Sequence, residues 1–233
     1  MHNLAYTVLH IESGSEVSSS RDKNVLSIKE KLKNKISYLY TQTHKISNIN
    51  ELNYYKDNYN KLNISGKLRY GDIGCMVSHY DSWTKLLNSE YDLLIVIEDD
   101  ANLSDDFLEN VYKYILDLPY DFDIATLYVH PKRNEYYDAL LHDVGLSYMC
   151  LGFQDRSTLS YVISRDGAKK YKNFVDTIYN MPIDLFLFDK EKNTKFYSIS
   201  PSAKPLFYCE TLDQNGEVLH GLTNIHNTEW VDL

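Results

Sequence analysis

Cysteine, glycine, proline and positive charge are all scarce in this sequence of 233 residues, and each scarcity removes a class of protein. The three cysteines, Cys75, Cys150 and Cys209, are odd in number, far apart and without a C-x-x-C pair. That spacing argues against a disulfide framework or a zinc site and predicts small buried hydrophobes in a reducing compartment. Nine glycines and five prolines gather into no linker, so a single domain over 1–233 is expected. Lys plus Arg total 24 against 33 Asp plus Glu, a formal net charge of −9. Nothing in that balance draws the chain to nucleic acid or to an anionic membrane. The longest strictly aliphatic run, Leu93 to Ile97, falls far short of the roughly 20 residues of a membrane helix, so no membrane span is expected. The opening Met-His-Asn-Leu-Ala has neither a basic leader nor an apolar stretch of signal length, and a cytoplasmic location is the expectation. There is no G-x-G-x-x-G, no G-x-x-x-x-G-K-[ST] and no G-x-S-x-G, which leaves a dinucleotide fold, a P-loop and a serine hydrolase unsupported.

What is present is an apolar fraction of 43%, enough to bury a core, and 21 tyrosines whose rings suit half-buried walls and sugar stacking alike. Leu4 to Ile11 reads as a buried strand, Gly14 to Ser20 as a polar loop, and Arg21 to Lys33 as a helix carrying Val25, Ile28 and Leu32 at helical spacing. A second strand is expected at Ile36 to Gln42 and a helix at about Asn48 to Leu62. From Gly71 to Ser89, Cys75, Val77, Tyr80, Trp83, Leu86 and Leu87 form a helical stripe. Leu93 to Ile97, apolar on both faces, predicts a strand central in a parallel sheet. Ser104 is expected to cap a helix from Asp105 to about Leu118. Strands are expected at Phe122 to Val129, Leu146 to Leu151, Leu159 to Ile163 and Pro205 to Glu210, and a helix at Gly167 to Ile178. Pro182 opens a further short helix, and the chain after Phe196 otherwise reads as irregular. The sum is an α/β chain with a mixed, mostly parallel sheet flanked by helices.

Glu98-Asp99-Asp100 follows directly on the apolar strand, at the end where open α/β sheets bind ligands. Alternation along a strand sends Glu98 and Asp100 to one side and Asp99 to the other. Like charges this close are costly in a poorly solvated crevice unless a cation neutralises them or one keeps its proton. Hard divalent ions take oxygen ligands and pair with substrate phosphates, so a metal–diphosphate site is one reading. An acidic solvated turn leading into the next helix is the other.

Gly71-Asp72-Ile73-Gly74-Cys75 with Ser78-His79 and Trp83 resembles the G-[ED]-I-G-C-x-x-S-H-x-x-x-W block of glycosyltransferase family 25, the lipopolysaccharide and collagen galactosyltransferases. The family's L-E-D-D strand end is matched by Ile97-Glu98-Asp99-Asp100, and its Y-x-I-S-x-x-G-A-x-x-L block by Tyr161 to Tyr171. Its P-[IV]-D element is matched by Pro182-Ile183-Asp184, so four blocks lie in order over residues 71–184. The amino-terminal third departs from the pattern, with only Arg21 and Lys23 where the family has an R-x-x-R segment. The resemblance implies a GT-A-type fold, with a nucleotide-binding part at about 1–130 and an acceptor side at about 131–233. It implies a nucleotide-sugar donor such as UDP-hexose, Mn²⁺ or Mg²⁺, and a glycan or glycoprotein acceptor, with inversion at the sugar.

Under that resemblance Asp100 is the leading metal ligand, with Glu98 as helper and Asp99 on the nucleoside side. Asp184 reads as the general base or as a carboxylate at a helix start. Asp72 reads as a donor contact or as a partner of its own helix dipole. Arg21, in an expected loop, suits the donor phosphates or a solvated surface. His220 and His226 are candidates for a late histidine recruited to the metal; His79 reads as a packed histidine, and Ser78 and Cys75 as packing. A non-catalytic nucleotide- or carbohydrate-binding descendant is the alternative to a transferase, and a metal-dependent phosphohydrolase is a third reading.

Overall fold

The computed structural model describes residues 3–11, 16–58, 63–128, 142–152, 157–187, 193–200, 202–209 and 229–232. Among these, one seven-stranded sheet organises the chain. Its strands are β1 (Leu4–Leu9), β2 (Ser37–Tyr38), β4 (Leu93–Glu98), β6 (Ile124–Thr126), β7 (Met149–Leu151), β8 (Ser160–Ser164) and β9 (Phe196–Ile199), in the spatial order β2-β1-β4-β8-β6-β9-β7. β2, β1, β4, β6 and β9 run one way, whereas β8 and β7 run against them. The α/β architecture with a mixed sheet is therefore present, and strands from both halves of the chain share it. Two small antiparallel pairs complete the strands: β3 (Lys67–Arg69) with β11 (Trp230–Asp232), and β5 (Ala101–Leu103) with β10 (Phe207–Cys209).

β4 is central because both its faces are apolar. Ile95 and Ile97 pack into a core shared with α1 (Glu16–Leu32) and α4 (Phe107–Asp117). Leu94 and Val96 pack into a second core shared with α3 (Tyr70–Leu87) and α5 (Arg165–Thr177). α3 inserts Trp83, fully buried, into that second core, and Arg165 closes the far end of α3 by donating to the carbonyls of Leu86, Leu87, Ser89 and Tyr91. Among the described residues the remaining helices are α2 (Ile49–Asn58) and the short α6 (Ile183–Leu187).

Two glycines of the sequence blocks are fixed by close backbone approach. A Cβ on Gly74 would meet the His44 carbonyl oxygen at 2.7 Å, and one on Gly167 would meet the Asp123 carbonyl oxygen at 2.1 Å. The backbone of Asp123 cannot retreat easily, because its carbonyl also accepts from the Ser164 N–H and its carboxylate holds Lys170 and the Lys195 N–H. Gly167→Ala should lower stability by about 3 kcal/mol, the upper range for overpacking, whereas Ala168→Gly should cost only about 1 kcal/mol. Urea denaturation of the two variants checks the order.

Several expected boundaries move. The residues read as a polar loop up to Ser20 are helical from Glu16, because tertiary anchoring of Arg21, Asn24 and Val25 on β4 and β5 overrides the neutral helix preference of serine. The second strand shrinks to Ser37–Tyr38, an exposed edge that, among the described residues, pairs with β1 alone. Ser104 does not cap α4: the helix begins at Phe107 with Asp106 at its N-cap position, and Ser104 contributes its carbonyl to the Phe107 N–H. β9 lies in a stretch read as irregular. It is buried throughout, and its Ser198 hydroxyl is satisfied by accepting from Thr126 and donating to the Gly152 carbonyl.

Candidate active site

The acidic triple ends the central strand, and the register of its neighbours decides what surrounds it. Parallel pairing sets Leu9 against Glu98, so the next residues, His10 and Asp99, emerge side by side. Antiparallel pairing sets Ile97 against Ser160, which brings Thr158 up to Glu98. The Thr158 hydroxyl donates to Glu98 Oε1 at 2.5 Å.

Alternation holds up to Asp99 and then yields to a turn. Glu98 continues the Leu94–Val96 face toward α3, where His79 Nε2 lies 3.4 Å from its Oε1. Asp99 continues the Ile95–Ile97 face toward α1. Its Oδ1 accepts from Arg21 at 2.6 Å, and its Oδ2 meets His10 Nδ1 at 2.8 Å. Asp100 sits in the turn between β4 and β5, with Arg21 3.7 Å away and the Cys209 thiol at 4.0 Å. Asn24 pins this turn by donating to the carbonyls of Asp99 and Ala101.

The electrostatics follow from that crowding. Burial pushes the Asp100 carboxyl up, the Glu98 charge adds to this against the pull of Arg21, and it reaches about 7. Burial also pushes Glu98 up, but hydrogen bonds from His79 and Thr158 and the charge of Arg21 outweigh it and hold Glu98 below its ordinary value. The hydrogen bond to Asp99 raises His10 despite its burial, with Asp22, 2.5 Å from Nε2, adding to the effect.

The P-[IV]-D element closes on the same place. Asp184 stands in the first turn of α6, and its Oδ1 accepts from the Leu185 N–H at 2.8 Å. Burial raises its proton affinity, and the charges of Glu98 and Asp72 raise it further. Asp72, buried in the first turn of α3, accepts from the Arg69 N–H at 2.9 Å. Burial pushes the Cys75 thiol well up, and the charges of Glu98, Asp184, Asp72 and Asp100 add to it. Three separated sequence blocks thus bring carboxylates close enough for their charges to act on one thiol.

Not every sequence expectation fits this arrangement. Arg21 is neither in a loop nor solvated; it lies on α1 with a side chain 14% exposed and pairs with Asp99. Asp72 has the helix-start partner that its position allowed. His79 is fully buried and hydrogen-bonded, as a packed histidine should be, yet it also faces Glu98. His220 and His226 lie outside the described residues. Sequence reading missed His10, Thr158 and Asn24. Only His10 carried a usable signal, a polar residue directly after an apolar strand, just as Asp99 follows β4.

Asp99 is nearly buried and pairs with both Arg21 and His10, so its replacement is structural before it is chemical. Asp99→Asn should lower stability by about 3 kcal/mol, because it removes the nearer of the two carboxylates paired with the nearly buried Arg21 and leaves Asp100 at 3.7 Å. Thermal unfolding checks this, and a change within roughly 0–1 kcal/mol, the range of an exposed ion pair, would contradict the assignment.

Residues 18–187 match the model of glycosyltransferase family 25, described as an LPS biosynthesis protein family. Human procollagen galactosyltransferase 2 is 28% identical over 176 residues, covering 75% of this chain and 26% of that protein. The mouse inactive glycosyltransferase 25 family member 3 is 29% identical over 140 residues, covering 55% of this chain and 22% of that protein. The chain thus spans about a quarter of the length of these curated relatives. Among solved structures, a Drosophila β1,4-galactosyltransferase 7 mutant in complex with manganese, UDP-Gal and xylobiose aligns with a TM-score of 0.40 at 11% identity, over 97% of this chain and 84% of that one. Among the described residues no helix is long and apolar enough to cross a membrane. With the family model covering more than two thirds of its length, this chain belongs to glycosyltransferase family 25.

Proposed function

We propose that the chain is a metal-dependent glycosyltransferase of GT-A type, moving a hexose from a UDP-sugar to a glycan or glycoprotein hydroxyl with inversion. The single observation that carries this reading is the acidic end of the central strand, where Glu98 and Asp100 stand and where the charges of Asp72 and Asp184 are also felt. A strand end with that much negative charge rejects a nucleoside diphosphate unless a cation intervenes.

The donor set fits a hard divalent ion. Glu98 and Asp100 offer oxygen ligands, and the upward push on Asp100 is the mark of a carboxylate short of positive charge. Mn²⁺ or Mg²⁺, when bound, supplies charge stabilisation of the departing diphosphate. Asp100 and Glu98 would hold it. Arg21 and His10 keep Asp99 fixed at the edge facing the nucleoside. Asp184, raised toward working pH by burial, is suited to take the proton of the acceptor hydroxyl as that oxygen attacks the sugar.

A second reading, a non-catalytic binding module, is favoured by one fact: the inactive mouse relative is as similar to this chain as the human galactosyltransferase is. A donor panel separates the two. Purified protein with Mn²⁺ and a panel of radiolabelled nucleotide hexoses should slowly hydrolyse one donor and transfer from it to a glycan acceptor. Binding of a nucleotide sugar without hydrolysis or transfer across the panel would favour the binding module.

A further inference from the structure

We propose that Cys75, His79 and Glu98 form a binding site for a thiophilic divalent ion, Zn²⁺ by its ligand chemistry, on the α3 side of β4. The ligand atoms of these three residues lie within 4.8 Å of one another. The proposal shares Glu98 with the transferase reading, but its test reads the Cys75 thiol and uses no nucleotide, so the two fail separately.

Helix geometry prepares the first two ligands. Cys75 and His79 stand four residues apart on α3, hence on one face, and that face meets the end of β4 where Glu98 emerges. Four-coordinate zinc, with bonds of about 2.0–2.3 Å, spaces its ligand atoms by roughly 3.3–3.8 Å. The 3.4 Å between His79 Nε2 and Glu98 Oε1 already has that value. As a charge-assisted hydrogen bond the same distance is long, since such bonds run about 2.7–2.9 Å.

The partners around the cluster suit a ligand set as well. Tyr161 meets His79 Nδ1 at 2.7 Å and accepts from the Trp83 indole N–H at 3.0 Å. A ring nitrogen held by a second partner is the usual setting of a metal-bound histidine, fixing its orientation and its tautomer. Thr158 holds Glu98 on its other flank. Three protein ligands leave a fourth position open, the pattern of a zinc ion that still takes a small exogenous ligand.

Chemistry decides which ion. A thiolate and an imidazole select zinc, or cobalt as its spectroscopic substitute, over Mg²⁺ and Ca²⁺. On binding, the Cys75 S–H bond and any Nε2–H bond of His79 break and their protons pass to solvent as the bonds to the metal form; the bound imidazole keeps a ring proton on Nδ1, toward the Tyr161 oxygen. Among the described residues the other two thiols lack this company: Cys150 is buried in β7, and Cys209 lies beside Asp100.

The test titrates Co²⁺ into the metal-free full chain. The expected result is a near-ultraviolet sulfur-to-cobalt charge-transfer band saturating at one equivalent, abolished by added Zn²⁺. Cys75→Ser should lose the band while Cys150→Ser and Cys209→Ser keep it. A second measurement needs no variant: one equivalent of Zn²⁺ should slow alkylation of Cys75 at least about tenfold, read by peptide mass, and Mg²⁺ should leave it unchanged. Cobalt binding without a sulfur band, a band that survives Cys75→Ser, or equal alkylation with and without Zn²⁺ would overturn the proposal.

Discussion

Asp100→Asn is expected to fold well, to lose about 10³-fold or more in sugar transfer, and to be more stable than the parent protein at neutral pH in the absence of divalent ions. Under the proposed function the loss follows from removing a ligand of the cation, and with it charge stabilisation of the leaving diphosphate. The gain in stability follows from the crowding of Glu98, Asp99 and Asp100. Burial and the Glu98 charge raise the Asp100 carboxyl from 3.8 to about 7. A carboxylate with a raised value in the folded state contributes its full stability below about pH 4 and loses it as pH rises through about 7. Asparagine keeps the shape and removes the charge, so the metal-free variant should show a flatter stability profile over that window. The difference at pH 8 is at most a few kcal/mol. Loss of transfer with a rise in melting temperature is a combination that a generally damaged protein does not produce. Normal turnover in the variant would show that the cation is held elsewhere.

Asp184→Asn is expected to do the reverse: leave nucleotide and metal binding near the parent level while transfer falls by about 10² to 10⁴. Its Oδ1 accepts only the N–H of its own helix, Leu185, among the bonds described, and asparagine can make the same bond. Stability should therefore change by less than about 1 kcal/mol. Burial, with the charges of Glu98 and Asp72, raises its proton affinity. In the parent protein, kcat/KM should then fall on its acidic side at a pH above the ordinary carboxylate range, because the base works only when ionised. That limb should vanish from the residual activity of Asp184→Asn. Full single-turnover activity in the variant would remove Asp184 from the chemistry and return it to the role of a helix-start carboxylate.

The parts of this site that a linear reading could find are those whose signal is local. An apolar run that ends in three carboxylates marks β4 and its end, and a helical stripe marks α3; both stand close to where they were expected. The parts it could not find depend on register. Nothing in the sequence near His10 says that Leu9 pairs with Glu98, yet that pairing alone brings His10 to Asp99. Arg21 looked like a loop cation because serine-rich segments are weak helix predictors. Its role comes from Asp99, 78 residues away, which helps hold α1 on the sheet. Cys75 and His79 looked like packing because Cys75 lies in the apolar stripe of α3 and His79 one turn before Trp83, and helix spacing alone does not show that Glu98 comes near both. β9 escaped notice because a four-residue strand with a polar serine has too little alternation to detect.

The central claim is that the end of β4 binds a nucleoside diphosphate through a divalent cation. Calorimetric titration of UDP into the full chain, once in Mn²⁺ and once in EDTA, tests it most directly. Binding in Mn²⁺ should be at least about 10²-fold tighter than in EDTA, since without the cation diphosphate and carboxylates repel one another. Equal affinity in the two conditions would contradict the claim.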